Sequence, residues 1–269
     1  MRRITVIICL AALLFSRPGM ADVDQLLEKV IAAYGGREHI SRVTAYQQFG
    51  VTFSSMRGVE GNIMRVYRHP DHLRVEIKYD KDYSESRILA GSRAWKQDQP
   101  VEGIFYSAML LQAARLGLPA ILVEHQQHVR EADIMTGNQG ETLHVLELNF
   151  HGKHKLIVGI DPVSGRILES RGIIKMTDST MEFGTVYDDF RFQEGRLFAF
   201  KEVHYVMGRK TGYTHIQRIE IVPVLPEEMF QPSDLKDKRP DMVVMNKEVL
   251  ESVVNKSGLT STALVHSLQ

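Results

Sequence analysis

Between residues 43 and 222 the apolar side chains recur with a period of two, in short runs that end at compact turn signals. Val43, Ala45, Phe49, Val51 and Phe53 fall at odd positions, as do Leu73, Val75, Ile77 and Tyr79. A strand sends successive side chains to opposite faces, so this spacing marks strands with one apolar face. Further runs cover 143–150, 155–160, 167–176, 181–192, 197–206 and 213–222. Pro70-Asp71, Gly91-Ser92, Gly152-Lys153, Asp161 to Gly165, Glu194-Gly195 and Gly208 to Gly212 separate them. Nearly all of these links are too short for a crossover, which predicts an antiparallel meander of about ten strands. No helical pattern alternates with the strands, which argues against a doubly wound nucleotide-binding fold.

Two segments have the other period. Val23, Leu26, Leu27, Val30, Ile31 and Tyr34 align on one stripe of a helix. Asp22 and Asp24 sit at its positive end, and Gly35-Gly36 supplies the stop. Residues 104–122 read as helical pieces broken at Gly117-Leu118-Pro119 and inserted between strands. Within them Phe105, Met109 and Leu116 share one face. A curved sheet with one apolar face must cover that face, and these helices are the available cover. The class is therefore mainly β with helices, α+β. Residues 234–241 read as a charged linker and 243–254 as a weak helix.

The first 21 residues stand apart. Met1-Arg2-Arg3 is basic, Ile4 to Phe15 is apolar except for Thr5, and Gly19-Met20-Ala21 has the small-x-small pattern of a cleavage site. These are the parts of a secretory signal peptide, with cleavage expected after Ala21. Twelve residues at ~1.5 Å each are too short to cross a hydrocarbon core of roughly 30 Å. Cleavage would leave 30 Lys and Arg against 33 Asp and Glu, a net charge of −3, which disfavours a nucleic-acid partner. It would also remove Cys9, the one cysteine, and with it any disulfide, thiolate nucleophile or cysteine-ligated metal. The product is expected in the bacterial periplasm, or outside a cell that has no second membrane.

Catalytic chemistry is thinly represented. There is no phosphate-cradling loop, no GxGxxG and no GxSxG. Six of the eleven histidines form HxxH pairs, His69/His72, His125/His128 and His151/His154. Two of these pairs flank predicted turns and the third lacks the glutamate of HExxH, so solvated histidines are expected and no metal or other cofactor. Asp188-Asp189 are neighbours on a strand and point to opposite faces. Glu227-Glu228 follow Pro226 as the first turn of a short helix. Trp95, after a hairpin, is a core, rim or pocket residue. No catalytic residue is assigned.

Four stretches carry a resemblance. They are Leu27 to Glu38 with its Gly-Gly exit, Arg68-His69-Pro70-Asp71-His72-Leu73-Arg74, Gly91-Ser92-Arg93-Ala94-Trp95, and Ile160-Asp161-Pro162-Val163-Ser164-Gly165-Arg166. In their order along residues 22–232 the chain resembles the periplasmic lipoprotein-carrier superfamily, the LolA/LolB-like outer-membrane lipoprotein-sorting proteins. It departs from that pattern in its tail (233–269), in the length of residues 104–142, at His72 in place of an arginine and at Val75 in place of an aromatic.

The resemblance implies an incomplete antiparallel β-barrel under a helical lid, enclosing an apolar cavity for acyl chains. Phe49, Phe53, Trp95, Phe105, Met109 and Leu116 are the candidate cavity and lid residues. Whether such side chains surround a cavity or fill a core is left open by the residues themselves. The leading expectation is a non-catalytic carrier or sensor whose partner is a lipid or the acyl chains of a lipoprotein. An inner- or outer-membrane protein is a further expected partner. The alternatives are an envelope interaction or stress-sensing module with a filled core, and, third, a metal-dependent enzyme.

Overall fold

A computed structural model describes residues 20–80, 83–138, 140–150 and 152–232. The leader expected over 1–21 (all but its last two residues), the tail over 233–269 and His151 lie outside the described residues. Thirteen strands form one antiparallel sheet, where the sequence predicts about ten. Five strands have no counterpart among those runs: the central β2 (Val59–Arg68), which opens on Val-Glu-Gly-Asn, and four that are short or largely polar. β5 (Arg93–Lys96) and β6 (Gln99–Val101) have four and three residues, too few to show a period. β4 (Tyr83–Ala90) opens on Tyr-Ser-Glu-Ser-Arg, and β7 (Val129–Thr136) carries Arg130, Glu131 and Asp133. The edges β6 and β7 have little apolar surface to bury and need not alternate, whereas β4, third from the edge, buries only its last three residues, Ile88, Leu89 and Ala90.

The order across the sheet is β6-β5-β4-β3-β2-β1-β13-β12-β11-β10-β9-β8-β7. β1 (Ala45–Ser54) lies at the centre, and β2 (Val59–Arg68), β3 (His72–Asp80) and β4 to β6 step outward to one edge. The chain then crosses to the opposite edge through helices α3 (Gly103–Leu116) and α4 (Ala120–Glu124). From β7 it steps back through β8 (Thr142–Phe150), β9 (His154–Ile160), β10 (Ile167–Lys175) and β11 (Thr180–Gln193). β12 (Arg196–Val206) and β13 (Arg209–Ile221) follow, and β13 pairs with β1. The inserted helices therefore join the two free edges of the sheet.

That crossing curls the sheet. Gln112 of α3 accepts a hydrogen bond from Arg87 of β4 at 3.5 Å, while its neighbour Leu111 lies over Gly172 of β10. β4 and β10 are seven strand spacings apart in the sheet order, roughly 34 Å if flat, yet they flank a helix about 10–12 Å across. α3 is apolar nearly all round, as a helix enclosed by a sheet must be. Met109, Leu110, Leu111, Ala113 and Ala114 are all buried.

The N-terminal helix follows its predicted stripe. α1 (Met20–Ala33) and the residue after it bury Val23, Leu26, Leu27, Val30, Ile31 and Tyr34 against β7 to β10 and α4. α2 (Gly36–Arg42) follows directly. Gly35 stands between them at φ +94°, where a Cβ would lie 1.9 Å from the Gly195 carbonyl oxygen, so only glycine fits this junction. A second core, on the β1 to β5 side, joins Tyr46, Tyr67, Leu73, Val75, Ile77, Met109, Phe198 and Ile216. A third lies on the convex face, where the segment after β13 folds back and sets Val222, Leu225 and Phe230 on Val66, Ile88 and Trp95. Arg74 holds this strap by donating to the carbonyls of Met229 (3.1 Å) and Gln231 (3.0 Å). No helix among the described residues is long and apolar enough to cross a membrane.

The seating of α3 can be tested at Gly172. A Cβ there would stand 2.9 Å from Leu111 Cβ. Gly172→Val is expected to cost about 1–3 kcal/mol through overpacking and to lower the melting temperature by several degrees. An unchanged thermal melt would show that α3 does not rest on β10.

Candidate functional site

The concave side of the sheet is not filled throughout. Beside α1, an open pocket of about 830 Å3 lies between Val23, Asp24 and residues 123–131, with a packed core behind it, and between α3 and strands β1 to β4 and β11 to β13 lies a cavity of about 220 Å3. Ile63, Ile77, Phe105, Met109 and Phe183 supply apolar walls. Two smaller spaces continue it inward, about 50 Å3 beside Tyr46, Leu116 and Phe198 and about 30 Å3 beside Thr185, Tyr187 and Glu202. Arg115 lines all three.

The candidate residues divide by face. Phe105 and Met109 line the larger cavity, and Leu116 lines the two smaller ones. Met109 is 2% exposed and also belongs to the packed core. Phe53 borders the cavity beside Thr52, but its ring stacks on Tyr213 at 5.4 Å, on the other side of the strand. Phe49 likewise faces away, under the guanidinium of Arg218 at 4.2 Å. Trp95 packs in the convex-face cluster with Arg93 over its ring. The structure thus brings Phe105, Met109 and Leu116 to the interior space and leaves Phe49 and Trp95 outside it.

Polar residues that the sequence did not single out complete the walls. Arg65 and Glu202 form a two-bond ion pair, 2.7 and 2.9 Å, with both side chains at most 5% exposed. Burial alone would raise the Glu202 carboxyl, but Arg65 outweighs it and the net shift is downward. His204 Nε2 lies 2.8 Å from Thr214 Oγ1, which is 3.1 Å from Thr52 Oγ1. Desolvation holds the His204 imidazole down at about 4, with Arg65, Arg115 and Arg87 acting in the same direction and Glu202 against them. It is therefore neutral at neutral pH. Tyr187 donates to or accepts from Ser170 at 2.7 Å, and burial pushes its phenol up. Arg115 Nη1 donates to the Phe183 carbonyl at 2.7 Å, and desolvation lowers the guanidinium from its ordinary value. These groups come from β2, α3, β11, β12 and β13, so no local motif announces them.

Of the paired histidines, His69, His72, His125, His128 and His154 line none of the three spaces that Arg115 borders. His69 Nε2 lies 2.7 Å from Glu124 and His72 Nδ1 lies 2.9 Å from Asp71, so each ring has its own acid. Among the described residues no group of three or more His, Cys, Asp or Glu could hold a metal ion. The arrangement is a container whose walls combine apolar side chains with a buried polar cluster.

Two consequences are measurable. Removing one partner of a buried ion pair leaves the other charge uncompensated, so Glu202→Ala is expected to destabilise by about 3–5 kcal/mol in urea unfolding. Replacing both residues, Arg65→Met with Glu202→Met, should recover much of that loss. For His204, the folded form resists protonation down to about pH 4 while the unfolded chain takes up a proton near 6.5. Stability should then be complete above pH 6.5 and fall as pH drops toward 4. In His204→Asn the slope between pH 6.5 and 4.5 should flatten, and an unaltered slope would contradict the assignment.

No protein-family model matches the sequence, and no curated protein matches it. Solved structures do. A LolA superfamily protein of Nitrosomonas europaea superposes with a TM-score of 0.52 at 11% identity, over 79% of this chain and 98% of that one. A DUF1329 family protein of Desulfovibrio piger gives 0.46 at 8% identity, over 80% and 99%. A putative outer membrane lipoprotein-sorting protein domain of Vibrio parahaemolyticus gives 0.43 at 10%, over 79% and 95%. The likeness to the first is one of fold, at an identity too low to carry residues across. The resemblance drawn from the turn motifs therefore holds at the level of architecture: this chain has the LolA-like fold.

Proposed function

We propose that this protein is a periplasmic carrier or sensor that binds the hydrocarbon chain of a lipid, from a lipoprotein or another source, in the space under α3, without catalysing a reaction. The observation that carries this reading is the cavity of about 220 Å3, walled by Ile63, Ile77, Phe105, Met109 and Phe183. The space is half open to solvent, so it is a cleft that a chain can enter from outside rather than a void sealed in the core. At roughly 30 Å3 per water, it has the room of about seven. The signal-peptide pattern of residues 1–21 supports export, and α3 is in this reading the cover of the ligand. The close-packed half around α1 is what supports the other reading, an envelope interaction module with a filled core.

The test fills the cavity without touching the cores. Ala108 faces the space from α3. Ala108→Phe is expected to weaken binding of a fluorescent hydrophobic probe such as N-phenyl-1-naphthylamine tenfold or more, about 1.4 kcal/mol, with the melting temperature held or raised. Wild-type protein that binds no such probe and copurifies with no lipid would refute the reading. So would a filled variant that binds as well as the wild type.

A further inference from the structure

The polar inner end of the cavity has a charge that the protein does not balance. Besides Arg115, Arg65 and Arg87 border the space, and each has a carboxylate partner. Arg65 takes Glu202, and Arg87 has Glu85 at 3.1 Å. Arg115 has no ion-pair partner among the described residues, and the one hydrogen bond it makes there is to the Phe183 carbonyl. A guanidinium has five N–H donors, and Arg115, half-buried beside the Glu202 carboxylate that Arg65 already holds, keeps donors free toward the space.

The same chain shows how a purely structural buried arginine is accommodated. Arg196, 1% exposed, donates to the carbonyls of Val43 (2.7 Å) and Leu118 (2.9 Å) and lies against the rings of Phe198 and Tyr46. It lines none of the three spaces. Arg115 instead borders every one of them, and the middle one, about 30 Å3, which shares walls with both others, has the room of one water or one small acidic group. Around that space stand further polar side chains, Thr185, Tyr187 and the neutral His204. It shares Arg65, Gln112, Arg115 and His204 with the larger cavity, so a charged head and an apolar tail would occupy adjoining compartments.

We propose that Arg115 is an anion-binding residue, and that the cavity takes a single-chain amphiphile with its acidic head inward on Arg115 and its hydrocarbon chain along Phe105, Met109 and Phe183 toward the mouth. This rests on the carrier reading above and narrows its cargo. A free fatty acid or a monoalkyl phosphate fits a head group enclosed by protein. The anchor of an intact lipoprotein does not, because its head is joined to a polypeptide that must stay outside.

Calorimetric titration with octanoate, octyl phosphate and octan-1-ol, which share one chain, separates the possibilities. At least one anion is expected to bind tenfold or more tightly than the alcohol, and the tighter of the two identifies the head group. In Arg115→Met that preference should fall below twofold while octanol binding is retained. Equal binding of all three to the wild type would overturn the anion site and leave the carrier reading standing. Binding of none would overturn both. Should Arg115→Met fail to fold, the wild type still decides through the 13C-carboxyl or 31P resonance of the tighter anion. Beside a guanidinium the bound head stays ionised to a lower pH than the free acid. A bound head that titrates at or above the free acid would place it at the mouth or in an apolar site, and would refute the proposal.

Discussion

The passage of α3 through the concavity of the sheet is the constraint on which the other features depend. The two free edges, β6 and β7, are consecutive strands in the chain, so the connection between them must traverse the whole sheet. It does so as a helix, which satisfies its own backbone hydrogen bonds and can therefore run through an apolar interior. Because one turn of that helix meets both β4 and β10, the sheet must curl around it. The apolar face is thereby covered, and the strap of residues 222–230 covers part of the opposite face.

Curling a sheet over a cylinder leaves uneven space. On the β7 to β10 side, α1 and α4 fill it with branched aliphatic side chains. On the β1 to β4 side α3 is the covering helix among the described residues, and smaller residues such as Ala108 face strands that carry Thr52, Arg65 and Thr214. The gap is therefore partly polar. Three interior arginines are handled in three ways: Arg196, away from the gap, by carbonyls and aromatic faces, Arg65 by a carboxylate, and the half-buried Arg115 by open space. The third arrangement distinguishes a site from a core.

Much of the architecture was legible in the residues. The stripe from Val23 to Tyr34 marks α1, the break at Gly117-Leu118-Pro119 separates α3 from α4, and period-two runs mark the central strands. The edges β6 and β7 were illegible because little of their surface is buried, and β2, β4 and β5 because polar openings or shortness hide their period. The candidate ligand residues were legible only in part. Phe105, Met109 and Leu116 lie on a helix whose position between strands places it inside, and all three border the interior spaces. Period two divides β1 into two faces without saying which is concave. Both faces of β1 are packed, so Phe49, under Arg218, reads no differently from an inward residue.

What the sequence determined by itself was local: where strands and helices form, where the chain turns, and that the sheet is antiparallel. These follow from spacings within a few residues and from the conformational limits of glycine and proline. The tertiary structure alone decided which face is concave and that Arg65, Arg87, Arg115, Glu202 and His204 share one space. Those residues span more than half of the chain, and each by itself reads as an ordinary polar position. Their meeting depends on how far the sheet curls, and the curl is set by the helix that the sheet encloses rather than by any one strand.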